Sequence, residues 1–358
     1  MVSTSEALFW KKKELVSFIL SILVFFIHIF SFVRYRDTGS IISAVNERAA
    51  FFFKESITRF AVPMFFILSG ISFFKGYDNS KYINKIKSRV FTLVIPYLLW
   101  NIIWMLFDVV FSYTFLSRYY VGRPHFDLTF TNVLKSIFFY NCNLPFWFIF
   151  DLIIFSVAAP LIYLLVRNKY IGIASIGLLT ILAMFGIGIP PSIFLYSTSI
   201  IFYLIGALIG KHYFDFVSKK SNKLTQCFSV IFLFTYITLK NVFPSQAYPF
   251  KTLSQVVIFT LSAFALWNIT DIFIDKVKQR KIYSRSFAIF AMHINTSAII
   301  TKLIFQCLPK SEWMAIPNFF QHGYFDLVFN KRYMLRFRSF FAKGIFYTYG
   351  QQKQIKAQ

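Results

Sequence analysis

The strongest constraint on the fold is a repeated pattern of apolar runs separated by short clusters of Lys and Arg. A membrane-spanning helix needs about 20 mostly apolar residues, and nine stretches of the chain come close to that length. These stretches are 15–33, 57–74, 90–112, 144–166, 170–188, 193–210, 225–243, 252–270 and 286–307. The sequence therefore predicts an all-α protein, a polytopic transmembrane helical bundle of about nine spans.

The composition supports a membrane protein without a separate soluble domain. The chain is 57% hydrophobic and contains 50 Phe, and only 15% of its residues are charged, whereas soluble domains carry about 25% charged residues. The net charge of +24 does not indicate nucleic-acid binding, because the cations lie between apolar runs rather than on one face of a soluble module. They suit anionic lipid headgroups instead. We expect membrane lipids as partners and no nucleic acid.

The distribution of Lys and Arg predicts the orientation of the chain. If the N-terminus is cytoplasmic, the cytoplasmic segments hold nearly twice as many cations as the opposite side, as the positive-inside rule requires. Residues 75–89, 211–223 and 276–285 would then be cytoplasmic, and 113–143 would lie outside. The basic N-terminal stretch leads into a retained first helix. We predict a multi-pass protein of the cell (inner) membrane with its N-terminus inside.

Two basic side chains near the outer ends of predicted spans are candidates for chemistry, since intramembrane ionisable groups are costly. His28 lies about two-thirds along the first span, where an imidazole can act as a general base or simply bond a neighbouring helix. Arg59 precedes the second span. Its guanidinium can bind a carboxylate or phosphate, or stabilise an oxyanion; alternatively, it anchors the helix at the interface.

Further polar residues within the spans predict a polar cavity in the bundle. Ser69 suits either close helix packing or ligand contact. Trp147 marks the outer boundary of the fourth span and is either an ordinary interfacial residue or part of the cavity. Asp151, one turn deeper, needs a donor, for which we expect a His or Arg of another helix. His293 is a second intramembrane histidine. No metal site is expected, because the histidines lie on distant spans without ligand spacing.

Five segments in order resemble the acyltransferase 3 family, the integral-membrane O-acyltransferases of bacterial surface glycans and related small molecules. The segments are "SILVFFIH", "RFAVPMFFILSG", "KIKSRVFTLVIPYLLW", "LPFWFIFDLIIF" and "SFAIFAMHI". The second, which begins at Arg59, is the most specific. The resemblance covers residues 8 to 312.

The resemblance implies a reaction and roles for individual residues. An acyl group, commonly acetyl from acetyl-CoA, is transferred to a hydroxyl, usually of a sugar. His28 and Arg59 are the residues on which activity depends, and Trp147 and His293 line the cavity. The basic loop that ends at Arg89 lies on the side where CoA is available, and its charges suit the CoA phosphates. No bound cofactor is implied, because acyl-CoA is a substrate.

The chain departs from the family pattern in two places. The basic residue that usually stands eleven positions before the histidine is replaced by Ser17, and nine spans are found where ten are usual. A non-catalytic family member is therefore one alternative reading. Another is a transporter or flippase of sugars or lipid-linked intermediates, although paired halves with broken helices are not evident. The acceptor, the acyl group and the oligomeric state are not specified by any of these features.

The C-terminal segment 313–358 does not resemble a further span. Lys331, Arg332, Arg336 and Arg338 interrupt its apolar residues, and each basic residue at a helix centre costs about 2.5–3.5 kcal/mol of insertion free energy. We therefore predict a membrane acyltransferase domain over 1–312 and an atypical basic tail that does not cross the membrane.

Overall fold

The computed structural model describes residues 4–31, 48–115, 125–139, 142–187, 198–242, 251–278, 283 and 286–293, with all side chains except those of residues 28–31 and 251. Every regular element in these ranges is helical. The helices are α1 (Thr4–Ser31), α2 (Ala61–Phe74), α3 (Tyr82–Arg89), α4 (Ile95–Tyr113), α5 (Phe130–Phe138), α6 (Trp147–Val157), α7 (Ala159–Val166), α8 (Lys169–Met184), α9 (Ser199–His212), α10 (Phe214–Ser218), α11 (Lys223–Val242), α12 (Lys251–Phe273) and α13 (286–293).

The all-helical prediction is confirmed for the described residues, but the number of nine spans is not. Among the described residues, three stretches are long and apolar enough to cross a membrane: Arg48–Phe74, Asn79–Tyr113 and Thr252–Phe273. The segments Leu144–Val157 and Ala159–Val166 meet at a bend of 71°, and they provide a fourth span if the pair crosses the membrane as one unit. The bend falls just before Pro160, a residue that lacks an amide hydrogen and so cannot continue the helical hydrogen-bond ladder. α8 and α9 are apolar but shorter.

Helix α2 is the centre of the bundle, and its sequence explains both ends. Pro63 stands in the first turn, where a missing N–H removes no helical hydrogen bond, and Arg59 lies in the turn immediately before the helix. Ten of the 14 residues of α2 are buried. Its most extensive partner is α9.

Glycines allow α2 and α9 to approach at backbone distance. A Cβ added at Gly70 would lie 2.8 Å from the Ala207 amide nitrogen, and one at Gly210 would lie 2.5 Å from the Ile71 carbonyl oxygen. A Cβ at Gly206 would overlap the Ile67 backbone. Small residues four apart commonly form such contacts in membranes. Gly70, the neighbour of Ser69, therefore serves the close packing of α2 against α9.

We expect Gly206→Ala to destabilise the bundle by about 1–3 kcal/mol, the range for overpacked sites, because the two helices must separate to admit the methyl group. Thermal unfolding in detergent measures the effect. The matched control is Gly177→Ala in α8, where a Cβ meets nothing within 4 Å; alanine there should leave stability unchanged or raise it slightly. Equal effects of the two substitutions would contradict the close packing.

The short amphipathic helix α5 is held against α4 by side chains that cap its last turn. The Tyr97 hydroxyl donates to the Phe138 carbonyl at 2.8 Å, and the Asn101 amide donates to the Ile137 carbonyl at 3.0 Å. At nine residues, α5 is too short to span a bilayer.

The N-terminal part of α1 is fastened to the C-terminal end of α12 by a buried ion pair. Lys12 Nζ lies 2.7 Å from an Asp271 carboxylate oxygen, and both side chains have zero exposure. The other Asp271 oxygen accepts from the amide and hydroxyl of Ser221 at 3.0 and 2.9 Å. Lys11 adds a hydrogen bond to the Ile274 carbonyl at 2.9 Å. The lysine cluster before the first span therefore has a packing function.

Candidate functional site

Arg59 forms a two-pronged ion pair with Glu55, one helical turn earlier. Arg59 Nε donates to Glu55 Oε2 at 2.7 Å, and Nη2 donates to Oε1 at 2.5 Å. The Arg59 side chain is 44% exposed and that of Glu55 is 23% exposed. Glu55 lies in a π-helical turn, Phe52–Ser56. The fork geometry matches the way in which a guanidinium binds a carboxylate or phosphate ligand.

Arg59 and Arg89 lie at opposite ends of α2. Arg59 precedes the helix, whereas the Arg89 guanidinium lies 5.3 Å from the ring centroid of Phe73, the penultimate residue. A helix of 14 residues is about 20 Å long. The two arginines therefore serve different regions of the molecule, and the predicted site residues are divided between two ends of the bundle.

Around Arg89, three half-buried cations from two helices form a group that we call the basic end: Lys13 of α1 with Lys85 and Arg89 of α3. The Arg89 charge acts against the charge of Lys85, and burial together with the Arg89 charge lowers the pKa of Lys13 to about 8. Among the described residues no carboxylate lies within ion-pair distance of these three side chains.

In the described part of the chain, the individual contacts of these cations are to a carbonyl and to aromatic rings and not to a carboxylate. Lys85 Nζ donates to the Phe73 carbonyl at 2.7 Å and so caps the C-terminal end of α2, a favourable position for a cation. Lys13 lies over the Trp10 ring at 5.0 Å. Arg89 acts electrostatically on the buried Tyr203 hydroxyl, which hydrogen-bonds to Ser156. An anionic group of a ligand would relieve this repulsion.

Lys13 is relevant to Ser17, the position at which the chain lacks the basic residue usual in the family. Residues four apart share one face of an α-helix, so Lys13 stands one turn before Ser17 on the same side of α1. Lys13 therefore places a cation near Arg89, one turn before the position at which the family usually has its basic residue. The sequence shows only the spacing between Lys13 and Ser17. The closeness of Lys13 to Arg89 is visible only in the tertiary structure.

The α6 residues Trp147 and Asp151 lie on one face, one turn apart. The Trp147 ring centroid is 6.0 Å from that of Phe66 in α2. Asp151 is 1% exposed and accepts a hydrogen bond from the Ser199 hydroxyl of α9 at 2.8 Å. The donor we expected was a His or Arg, and the observed donor is a serine. The hydroxyl satisfies the buried oxygen without introducing a second buried charge.

His293 is buried at the end of the described part of α13. Its Nδ1 contacts the Phe290 carbonyl, and its ring centroid is 5.4 Å from that of Phe290. The Phe290 ring in turn lies 5.7 Å from that of Phe148. Hydrogen bonds from the indole of Trp104 (3.1 Å) and the amide of Asn143 (3.5 Å) to the Ala291 carbonyl fix this helix. The Phe148–Phe290 contact brings α13 beside α6.

The remaining predicted residues are located only in part. The backbone of His28 belongs to α1, but its side chain is not among those that the structure describes. Ser69 is half-buried in α2, next to the glycine that contacts α9. The rest of the span 286–307 and the segment 313–358 also lie outside the described residues. The roles assigned to these residues remain predictions.

Two polar residues near the predicted site were not anticipated. Glu55 was detectable, since an acid four residues before Arg59 is a standard ion-pair spacing on a helix. Ser199 had no such signal, because serine is common at helix ends. In the described ranges there is no group of three or more His, Cys, Asp or Glu that could hold a metal.

A small apolar cavity of about 20 Å³ lies between α2 and α12, with Met64, Ile71 and Trp267 among its lining residues. Among the predicted site residues whose side chains are described, none lines it.

The fold and the polar groups define an integral membrane protein with cationic groups at both ends of its central helix. The family model described as "Acyltransferase domain", of the acyltransferase 3 family, matches residues 14–321. The searches of curated proteins and of solved structures found no match. The chain belongs to the acyltransferase 3 family, which makes it an acyltransferase of the membrane O-acyltransferase kind. The match extends into the segment 313–358.

Proposed function

We propose that this protein transfers an acyl group, specifically acetyl, from acyl-CoA to a hydroxyl of a surface glycan or related sugar. It does so in the cell membrane, with the N-terminus in the cytoplasm. The observation that carries the donor assignment is the basic end, where Lys13, Lys85 and Arg89 are half-buried without an acidic partner among the described residues. CoA carries several phosphate charges, and arginine and lysine are the side chains that bind phosphate best.

The predicted orientation supports this assignment of the donor. The basic end lies in the segments expected to face the cytoplasm, where acyl-CoA is made. The CoA phosphates would bind Arg89 and Lys13, and the long pantetheine arm would extend along α2 into the bundle. Since the end of α2 near Arg59 is about 20 Å away, the acceptor can be bound from the other side of the membrane.

The proposed chemistry uses His28 as the general base. His28 removes the proton of the acceptor hydroxyl while the oxygen attacks the thioester carbonyl carbon. The carbon–sulfur bond then breaks, and the departing CoA thiolate takes the proton from His28. Arg59 positions the acceptor or stabilises the developing negative charge. Trp147, Asp151, Ser69 and His293 would line the path of the substrate.

We expect Arg89→Gln to raise the KM for acyl-CoA by about 10- to 100-fold, because a hydrogen bond to a charged group contributes about 1.5–3 kcal/mol. The acceptor KM should stay the same. Initial rates of thiol release by the purified protein measure both constants. Lys87→Gln is the matched control, since Lys87 is exposed on the same helix, and it should leave the donor KM unchanged. An unaltered donor KM in the Arg89 variant would remove the basic end from the donor site.

The activity as a whole is tested by mass spectrometry of cell-surface glycans from cells with and without the chain. An acyltransferase adds the mass of one acetyl group per modified sugar. A transporter or flippase would change the amount of exported glycan but not its mass. A non-catalytic member would change neither, so either of these results would reject the proposal.

A further inference from the structure

We infer that the Trp10 ring is the surface on which the adenine of the donor stacks, so that the protein selects a donor with an adenine nucleotide over one with phosphopantetheine alone. The inference rests on the proposed function and specifies the donor class of that same site. Acyl-CoA consists of an adenine nucleotide with several phosphate groups, joined to the pantetheine arm that bears the acyl group. A complete site for it therefore needs a flat aromatic surface as well as cations.

Trp10 places a partly exposed aromatic ring next to the basic end. Its side chain is 37% exposed, whereas the neighbouring Phe9 is buried and packs against Phe214 and Trp267. Lys13, three residues later on the same face of α1, lies 5.0 Å from the centroid of the Trp10 ring. The ring therefore borders a cation that we assign to the CoA phosphates.

A second set of contacts, through the residue that follows α2, fixes the position of the ring. The Lys75 ammonium lies 6.0 Å from the Trp10 ring centroid, and the Lys75 carbonyl accepts from Lys85 Nζ at 3.3 Å. Glu6 accepts from the Trp10 indole N–H at 3.2 Å and also contacts the Lys75 ammonium. Tertiary structure thus holds the ring in one orientation beside Lys85, a second cation of the basic end.

The surroundings of the ring differ from those of a tryptophan that anchors a helix in the interface. An anchoring tryptophan places its ring among lipid headgroups and its N–H in water. The Trp10 ring instead lies against the ammonium groups of Lys13 and Lys75, and its N–H is bonded to Glu6. A purine base can stack on a ring held in this way, because stacking requires only an accessible aromatic face.

Lys13 can contact the ring and the phosphates in turn. Its flexible stem allows the ammonium group to turn from the Trp10 ring to a phosphate bound at Arg89, whose charge acts on Lys13. The part of the ring that Lys13 leaves is then open to the adenine. A donor without adenine makes the phosphate contacts but gains nothing from Trp10.

The test measures binding of coenzyme A, which has the adenine, and of 4′-phosphopantetheine, which lacks it. Isothermal titration calorimetry of the full-length protein in discs of neutral phosphatidylcholine gives both Kd values without an acceptor. We expect the unaltered protein to bind coenzyme A at least tenfold more tightly. Equal Kd values for the two probes would overturn the inference while leaving acyl transfer intact, and this comparison does not depend on any variant.

Trp10→Leu separates stacking from recognition of the phosphates. It should raise the Kd of coenzyme A by roughly 5- to 150-fold, the range for loss of one base–aromatic stack, and leave that of 4′-phosphopantetheine unchanged. Trp10→Phe, which keeps an aromatic face, should restore most of the affinity. The matched control is Phe216→Leu, at an aromatic residue of α10 that is 79% exposed, and it should change neither Kd.

The remaining outcomes separate this inference from the proposed reaction. An unchanged Kd of coenzyme A in Trp10→Leu, or an equal loss for both probes, would show that the ring only anchors the helix or positions Lys13, and the inference would be wrong. Binding of coenzyme A that depends on Trp10, without acyl transfer to any surface glycan in cells, would overturn the reaction but retain the nucleotide site.

Discussion

His28→Ala is expected to lower the rate of acyl transfer by about 10²–10⁴-fold, the usual loss when a general base is removed. The substitution leaves no group at that position of α1 to take the proton of the acceptor hydroxyl. Alanine has the highest helix propensity, so α1 should persist and the protein should still accumulate in the membrane. Radiolabelled acetyl transfer by the purified protein, normalised to its amount, gives the rate.

The matched control for this prediction is His125→Ala. His125 is exposed in the segment before α5, where its ring centroid lies 4.6 Å from that of Tyr113. Its removal deletes the same chemical group outside the predicted cavity and should leave transfer unchanged. If the His28 variant retained full activity while folding normally, His28 would be a structural residue and the general-base mechanism would be wrong.

Lys12→Ala is expected to destabilise the protein by about 3–5 kcal/mol, the cost of removing one partner of a buried ion pair. The Asp271 carboxylate would remain buried, with the amide and hydroxyl of Ser221 as its partners among the described residues. Burial already lowers the pKa of Lys12, against the opposing effect of Asp271, so the pair depends on both charges being present. Thermal unfolding and the folded yield in detergent measure the loss.

An exposed pair at the same end of the bundle provides the control. Lys220 contacts Asp275, and the two side chains are 39% and 71% exposed; exposed pairs contribute about 0–1 kcal/mol. Lys220→Ala should therefore change stability little. In addition, the double variant Lys12→Met with Asp271→Leu should recover much of the loss, because it removes both charges together. A loss as large in the Lys220 variant would argue against the importance of burial.

Local sequence properties were sufficient to predict several helices and one interaction. The apolar runs 57–74, 90–112 and 252–270 fall within the three stretches that the structure shows to be long enough for spans. Hydropathy identifies them because a bilayer requires each segment to satisfy its own backbone hydrogen bonds. The Glu55–Arg59 pair was also available from the sequence, since an i, i+4 contact depends only on helix geometry.

The partners of the buried polar groups were decided by tertiary structure alone. Asp151 bonds Ser199, 48 residues away in the sequence, and Lys12 of α1 bonds Asp271 of α12. Hydrophobic periodicity shows which face of a helix is buried but not which helix covers it. In this protein, which helices face each other depends on where two backbones can come close together. Gly206 allows such an approach between α2 and α9. The apolar sequence therefore determined that the chain forms membrane helices, whereas helix packing decided which charges and hydroxyls meet.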